Sequence, residues 1–276
     1  MKTVLEVIQA TTAYFEKHSV ESARLNIEHL LAHVLGRKRM ELYLQFDRPL
    51  SDSELAPLRE LVRRRVAGEP LQHLLGTVEF LGQTFLSDKR ALIPRPETEQ
   101  LVELILAQKI HPRRILEIGV GSGVIALSLA AKFPEAAVEA VDISPDALDL
   151  ARQNAEKLGL SERIRFHLGH LLNPVEGEFD LIVANLPYIA SEVIPTLERE
   201  VLHDPLTALD GGADGLALLL EFLPAARAHL RGLLALEIGH DQSQRLCDEL
   251  ERLHYRDIRP ATDYQGRNRF LFANHG

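Results

Sequence analysis

The sequence predicts an α/β protein with a doubly wound sheet that ends in an antiparallel pair of strands, preceded by a bundle of helices. Three observations carry this. From residue 114 onward, short apolar runs alternate with helical patterns, as a parallel sheet covered on both faces requires. The last two apolar runs, Tyr255 to Arg259 and Arg269 to Ala273, have only Ala261 to Asn268 between them, and so read as an antiparallel hairpin. Residues 1–75 show helical spacing and no strand-like alternation.

Within residues 1–75, Leu5, Ile8, Thr12 and Phe15 recur at helical spacing, and so do Leu25, Glu28-His29, Leu31-Ala32 and Leu35 before Gly36. Ser53 to Val66 continues the pattern and Gly68 closes it. Val78-Glu79-Phe80 and Gln83-Thr84-Phe85, parted by Leu81-Gly82, predict a short hairpin in a linker over residues 76–93. Pro94-Arg95-Pro96 stops regular structure, and Glu97 to Gln108 resumes a helix in a second domain over residues 94–276. Ile115–Ile118 is the first strand, Val124 to Phe133 a helix, and Ala137–Val141 the second strand. Ser144 and Pro145 then make an N-cap and first helical position, with Gly159 ending that helix. Ile164–His167 and Phe179–Ala184 are the third and fourth strands. A Pro- and Gly-punctuated stretch from Leu186 to Gly215 follows, and loops of that length in compact domains are often functional. A helix near Leu216–Leu230, a strand Leu233–Ile238 and a helix Gln242–Leu253 lead to the final hairpin.

Composition narrows the function. With 46% apolar and 26% charged residues the chain can build a full core. Its formal charge of −9 is uneven: residues 1–75 carry 11 Lys/Arg against 10 Asp/Glu, and the remainder 20 against 30, a net −10. That acidity argues against a grip on duplex DNA, which usually needs a basic surface. Arg37-Lys38-Arg39 and Arg63-Arg64-Arg65 are read as solvated helix faces, with RNA or an acidic partner as the functional alternative. The single cysteine, Cys247, lies in a helical pattern; it excludes an internal disulfide or a Cys-based zinc cluster and reads as a packed thiol. The first ten residues do not resemble a signal peptide, and no apolar run reaches membrane length, so a soluble cytoplasmic protein without membrane contact is expected.

Glu117-Ile118-Gly119-Val120-Gly121-Ser122-Gly123 lies between the first strand and a helix. Glycines let the backbone turn sharply and let a ligand approach closely. Asp142, at the end of the second strand, could accept hydrogen bonds from both hydroxyls of a ribose. Gly121-Ser122-Gly123-Val124-Ile125-Ala126 also satisfies the relaxed dinucleotide pattern. The loop therefore indicates an adenosine-containing cofactor without choosing between NAD and S-adenosyl-L-methionine.

The choice comes at the fourth strand, which ends in Asn185-Leu186-Pro187-Tyr188. An amide or aromatic amine nitrogen is a poor nucleophile because its lone pair is delocalised. Acceptors that take hydrogen bonds from both its N–H groups orient it and stabilise positive charge as a methyl group arrives. The Asn185 side-chain carbonyl and the Leu186 backbone carbonyl can form such a pair, and Tyr188 offers a face for stacking a planar group. An ordinary turn is the bland reading of Asn-x-Pro-Tyr; its place downstream of the glycine loop and the ribose acid favours chemistry.

Asn185–Tyr188, Glu117–Gly123 and Ile93-Pro94-Arg95-Pro96-Glu97-Thr98-Glu99 together resemble the HemK/PrmC family of protein-(glutamine-N5) methyltransferases. Glu69–His73, Phe80-Leu81-Gly82, Ala208–Gly212 with Asp214-Gly215, Leu236–Gly239, and Asp263 with Gly266–Arg269 extend the resemblance in order along the chain. It implies a class I methyltransferase: a Rossmann-like seven-stranded sheet behind an N-terminal helical bundle that binds the partner. It implies S-adenosyl-L-methionine as cofactor, no metal, and the Gly-Gly-Gln glutamine of peptide chain release factors as substrate, tuning translation termination. A monomer with no specific nucleic-acid binding is expected. The implied cofactor residues are Glu117, Gly119, Val120, Gly121, Ser122, Gly123, Asp142, Leu171 and Asn185. The implied substrate residues are Asn185, Leu186, Pro187, Tyr188, Arg95 and Glu97, with Asn185, Pro187 and Tyr188 carrying the chemistry.

Three positions depart from the family pattern. Leu186 replaces the usual first proline of Asn-Pro-Pro-Tyr, Glu117 stands where Asp is commoner, and His170 occupies a usually acidic position. A nucleic-acid N-methyltransferase would use the same Asn-x-Pro-Tyr geometry on a flipped base. A cofactor-binding module without catalysis, and an NAD-dependent oxidoreductase, are the other classes; the second lacks a visible Tyr-x-x-x-Lys or paired acid/base constellation.

Overall fold

The computed structural model describes residues 2–276. Its contacts divide the chain into two units, Met1–Thr77 with Glu198–His203, and Val78–Leu197 with Asp204–Gly276. The segment Glu198–His203 thus leaves the long loop to join the helical unit. The hairpin, expected to be a linker, belongs from Val78 onward to the larger unit, because Phe80 and Phe85 are fully buried in its core and meet edge to face.

The helical unit is built on α1 (Val4–Lys17), α2 (Ala23–Leu35), α3 (Asp52–Val66) and the short α4 (Leu71–Leu75). Capping boxes start α1 (Thr3 with Glu6) and α3 (Ser51 with Glu54), each satisfying two backbone N–H groups that a helix start leaves unpaired. Val4, Ile8, Phe15, Ile27, Leu30, Leu31, Leu42 and Leu58 fill its core. The basic clusters are only partly solvated faces. Arg39 pairs with the buried Glu28 at 2.8 Å. Arg65 is itself buried: its guanidinium donates to Asn26 Oδ1 at 2.7 Å, to the Glu69 carbonyl and to Glu200. Arg65 thereby clamps the returning segment, and the solvated-face reading fails for this residue.

The larger unit opens with the hairpin β1 (Thr77–Phe80) and β2 (Gln83–Leu86), followed by α5 (Pro96–Ala107). Then come β3 (Arg114–Ile118), α6 (Val124–Lys132), β4 (Ala137–Asp142), α7 (Pro145–Lys157), β5 (Ile164–Leu168) and β6 (Phe179–Asn185). α8 (Ala217–His229), β7 (Leu230–Glu237), α9 (Ser243–Arg252), β8 (Arg256–Thr262) and β9 (Asn268–Asn274) complete it. The seven-stranded sheet has the order β5-β4-β3-β6-β7-β9-β8, with β9 antiparallel to both β7 and β8 and the other pairs parallel. One face is covered by a core that includes Leu101 and Ile105 of α5, Ile125 and Leu129 of α6 and Leu148 of α7. The other carries Leu219, Phe222 and Leu223 of α8 with Leu246 and Leu250 of α9, and Cys247 packs against it. β8 runs on through Pro260 to Thr262, past the expected stop at Arg259. Proline tolerates this because β8 is the edge strand, where a missing N–H need not leave a ladder bond unmade.

Candidate active site

β3 is followed in the chain by its neighbour β4, while its other neighbour, β6, arrives two strands later. The crevice at the carboxyl ends of such strands is where doubly wound sheets bind ligands. A cavity of about 540 Å³ opens there. Gly119, Val120, Gly121 and Ser122 line it from the end of β3, Asp142 from β4, Leu171 from the segment after β5, and Asn185, Leu186 and Pro187 from the end of β6.

The glycine loop is held by backbone bonds to its neighbour strand: Gly119 N–H and Val120 N–H both donate to the Val141 carbonyl, at 2.8 and 3.1 Å. Gly119 and Gly121 have φ of 77° and 52°, a region other residues enter only with strain. Asp142 accepts from Gly121 N–H at 2.9 Å through Oδ2 and from Ser144 N–H at 2.9 Å through Oδ1. Burial raises its carboxyl above the ordinary value, against the pull of those backbone donors. Glu117 lines the floor, and its Oε2 accepts from Ala126 N–H at 2.7 Å in the first turn of α6. Burial raises this carboxyl well above its usual range, and nearby Asp142 adds to the effect. Glu117 therefore anchors the start of a helix, a job its extra methylene allows. His170 also lines the cavity, where its Nε2 meets Glu221 Oε1 of α8 at 2.8 Å.

At the other wall, Asn185 is part of a buried polar network. Its Nδ2 donates to Thr98 Oγ1 at 3.2 Å, and Thr98 Oγ1 donates to Glu237 Oε2 at 2.8 Å. Tyr188 OH donates to Glu237 Oε1 at 3.4 Å. Asn185 and Glu237 are register partners in β6 and β7, while Thr98 comes from the first turn of α5. Burial pushes the Glu237 carboxyl up to about 7, opposed by the Thr98 hydrogen bond and by Arg269, and assisted by the negative charge of Glu97. Asn185 Oδ1 has no hydrogen-bond partner among the described residues, and the residue lines the cavity.

Four expected site residues do not line the cavity. Gly123 caps α6, where an added Cβ would lie 3.0 Å from Leu127 and 3.2 Å from Ala151; its smallness serves helix packing. Tyr188 is half-buried against the α8–α9 core, with the Arg269 guanidinium 5.8 Å from its ring centre. Arg95 donates to Asp204 Oδ2 at 2.7 Å, while Asp204 Oδ1 accepts from Ile93 N–H. Glu97 lies 4.0 Å from Arg267. Thr98 and Glu237 lie in motifs that carry the family resemblance, but the sequence assigns them no role in the site. The signal for Glu237 was a carboxylate ending an apolar strand, since a charge so placed must find hydrogen-bond partners.

The stretch after Pro187 closes over the motif. Ile189 and Asp210 form a bridge, with Gly211 N–H donating to the Ile189 carbonyl at 2.8 Å. Gly215, at φ 74°, lies so close that a Cβ would fall 2.3 Å from the Tyr188 carbonyl. Gln242 Nε2 also reaches that carbonyl, at 2.9 Å.

Comparison with known proteins agrees with this geometry. Residues 6–76 match the PrmC N-terminal domain family, and residues 96–234 the methyltransferase small domain family. A release factor glutamine methyltransferase from Geobacter sulfurreducens is 42% identical over 99% of this chain and 97% of its own length. One from Deinococcus radiodurans is 39% identical over 97% of each. Among solved structures, a methyltransferase from Pyrococcus furiosus superimposes with a TM-score of 0.52 at 21% identity, over 71% of this chain and 90% of that one, which shows the fold. With a glycine loop, an acid on β4 and a strand-end Asn-x-Pro-Tyr in one crevice, and relatives matched over almost its whole length, the chain belongs to the release factor glutamine methyltransferase family.

Proposed function

We propose that this protein transfers the methyl group of S-adenosyl-L-methionine to the side-chain amide nitrogen of the glutamine in the Gly-Gly-Gln motif of peptide chain release factors. The observation that carries the reading is Asn185 Oδ1, a carbonyl without a protein partner at the rim of a cavity that also holds the glycine loop and Asp142.

The residues suit this cofactor. Asp142 offers a carboxylate for a ribose diol, and the Gly119–Ser122 turn lets a ligand approach the backbone. Leu171, Ile143 and Leu206 supply apolar walls to the cavity. When bound, S-adenosyl-L-methionine supplies an electrophilic methyl group on a sulfonium. Asn185 Oδ1 and the Leu186 carbonyl accept the two N–H groups of the substrate amide, hold its nitrogen toward the cavity and stabilise the positive charge that grows there. Only the backbone of Leu186 is asked to act, so its side chain is free to pack. Pro187 stiffens the turn, and Tyr188 buttresses it through Glu237. Arg95 acts through Asp204 on the loop, and Glu97 stands near Arg267. No general base is required, because the proton leaves after methyl transfer. We place the protein in the cytoplasm, where peptide chain release factors act, as a monomer.

The test is transfer of label from S-adenosyl-L-methionine to an unmodified release factor. Label is expected on the wild-type factor and not on one whose Gly-Gly-Gln glutamine is replaced. Strong labelling of DNA or RNA with none on the factor overturns the reading.

A further inference from the structure

The side-chain amide of Asn185 is nearly symmetric in shape, so packing alone does not decide whether oxygen or nitrogen faces the cavity. Hydrogen bonding does. Thr98 is 4% exposed and Glu237 1% exposed, so neither finds water easily. A hydroxyl carries one proton, and that of Thr98 is spent on the Glu237 carboxylate at 2.8 Å. Towards Asn185, at 3.2 Å, the Thr98 oxygen can therefore only accept, and only the NH₂ end can donate to it. The carbonyl is left facing the other way. The reversed amide would place two lone pairs against each other at Thr98, and would present N–H groups to a substrate that itself offers N–H groups.

We propose that Thr98 and Glu237 are positioning residues whose chain of hydrogen bonds fixes the Asn185 amide with its carbonyl toward the reacting nitrogen. This rests on the reading of Asn185 as the acceptor of the substrate amide. Neither residue needs to touch the substrate. Thr98 lines the same cavity as the Gly119–Ser122 loop and Asp142, but those expected cofactor anchors stand on other elements, so the larger effect belongs in turnover and the smaller in cofactor affinity. The groups around Glu237 place its oxygens as acceptors: Thr98 from α5 donates to Oε2 and Tyr188 from the segment after β6 to Oε1, and Arg269 from β9 supplies positive charge. Glu97 is the opposing negative charge.

The experiment uses the full chain with release factor and labelled S-adenosyl-L-methionine, comparing Thr98→Val, Thr98→Ser, Glu237→Gln, Glu237→Leu and Asn185→Ala. Thr98→Val keeps shape and removes the hydroxyl; kcat is expected to fall roughly 10- to 100-fold while cofactor affinity stays within a few-fold, the scale of a misoriented reacting group. Thr98→Ser restores the hydroxyl and most of the rate. Glu237→Gln still offers Thr98 an acceptor, whereas Glu237→Leu offers none, frees the hydroxyl proton toward Asn185 and slows turnover as well. Wild-type kcat in Thr98→Val beside an inactive Asn185→Ala overturns the proposal and leaves the site reading intact. Equal losses in Thr98→Val and Thr98→Ser also overturn it, by showing a packing role. An active Asn185→Ala overturns the site reading itself. Should Thr98→Val lose its fold, seen as loss of cofactor binding, Glu237→Leu decides alone: undiminished kcat there overturns the proposal.

Discussion

Leu186 lies against Gly119, so close that a Cβ on the glycine would come within 3.2 Å of Leu186 Cδ2. The departure from the family's Asn-Pro-Pro-Tyr thus has a physical use: the leucine is 3% exposed and ties the β6 end to the loop after β3. Gly119→Ala is expected to destabilise the fold by about 1–2 kcal/mol from positive φ alone, and to weaken cofactor binding as the two segments part. Thermal unfolding and equilibrium dialysis with labelled S-adenosyl-L-methionine check this; wild-type values in both would show that the loop does not need its glycine.

Asn185→Ala removes the acceptor at the cavity rim. Turnover should drop by roughly 10²–10³, the cost of losing one preorganised hydrogen-bonding group at a developing charge. Cofactor affinity should change little, and single-turnover methylation of a release factor measures the difference.

Asp142→Ala removes the carboxylate that accepts from Gly121 and Ser144 and faces the cavity. Hydrogen bonds to a charged group contribute about 1.5–3 kcal/mol, so cofactor affinity should fall roughly 10- to 100-fold. Calorimetric titration with S-adenosyl-L-methionine reads it directly. An unchanged affinity would remove Asp142 from the cofactor site.

Burial holds the Glu237 carboxyl at about 7 in the folded protein against a usual value of 4.5. Between those values the folded state binds more protons than the unfolded one, so this group makes stability fall as pH rises through that window. The cost reaches up to about 3 kcal/mol above pH 7, at ~1.36 kcal/mol per unit. Glu237→Gln mimics the protonated acid and abolishes that part of the slope. Urea unfolding at pH 5 and pH 8 should show the variant gaining on the wild type at the higher pH; a constant difference between them would refute the assignment.

Gly215→Ala places a methyl group where the Tyr188 carbonyl already lies, 2.3 Å away, at a φ of 74°. The loop must shift off the motif, and kcat should fall together with the affinity for the release factor. Normal kinetics in this variant would show that the strap over Tyr188 has no part in holding the site.

Much of this molecule was readable from local pattern. The apolar periodicities located β3 to β7 and their helices to within a few residues, because each element buries one face and that face repeats at the element's own period. The glycine loop, Asp142 and Asn185 could be named because each lies at a strand end, where sequence order and topology together bring it to one edge of the sheet. Local pattern was less informative where an element's position in the sheet mattered. Pro260 reads as a strand stop, and only the edge location of β8 lets the strand continue.

The sequence by itself determined the fold class, the sheet edge that carries the glycine loop and Asp142, and the strand-end asparagine, since these depend on short-range periodicity and on the order of motifs. Only the tertiary structure decided what faces what. It packed Tyr188 partly against the α8–α9 core, set Glu117 on the start of α6 and took Glu198–His203 into the helical unit. It also joined Thr98, Asn185 and Glu237, which stand 87 and 139 residues apart along the chain from Thr98. The reason is physical: burying polar groups so remote in sequence is favourable only once the whole sheet has formed and supplied each with a partner.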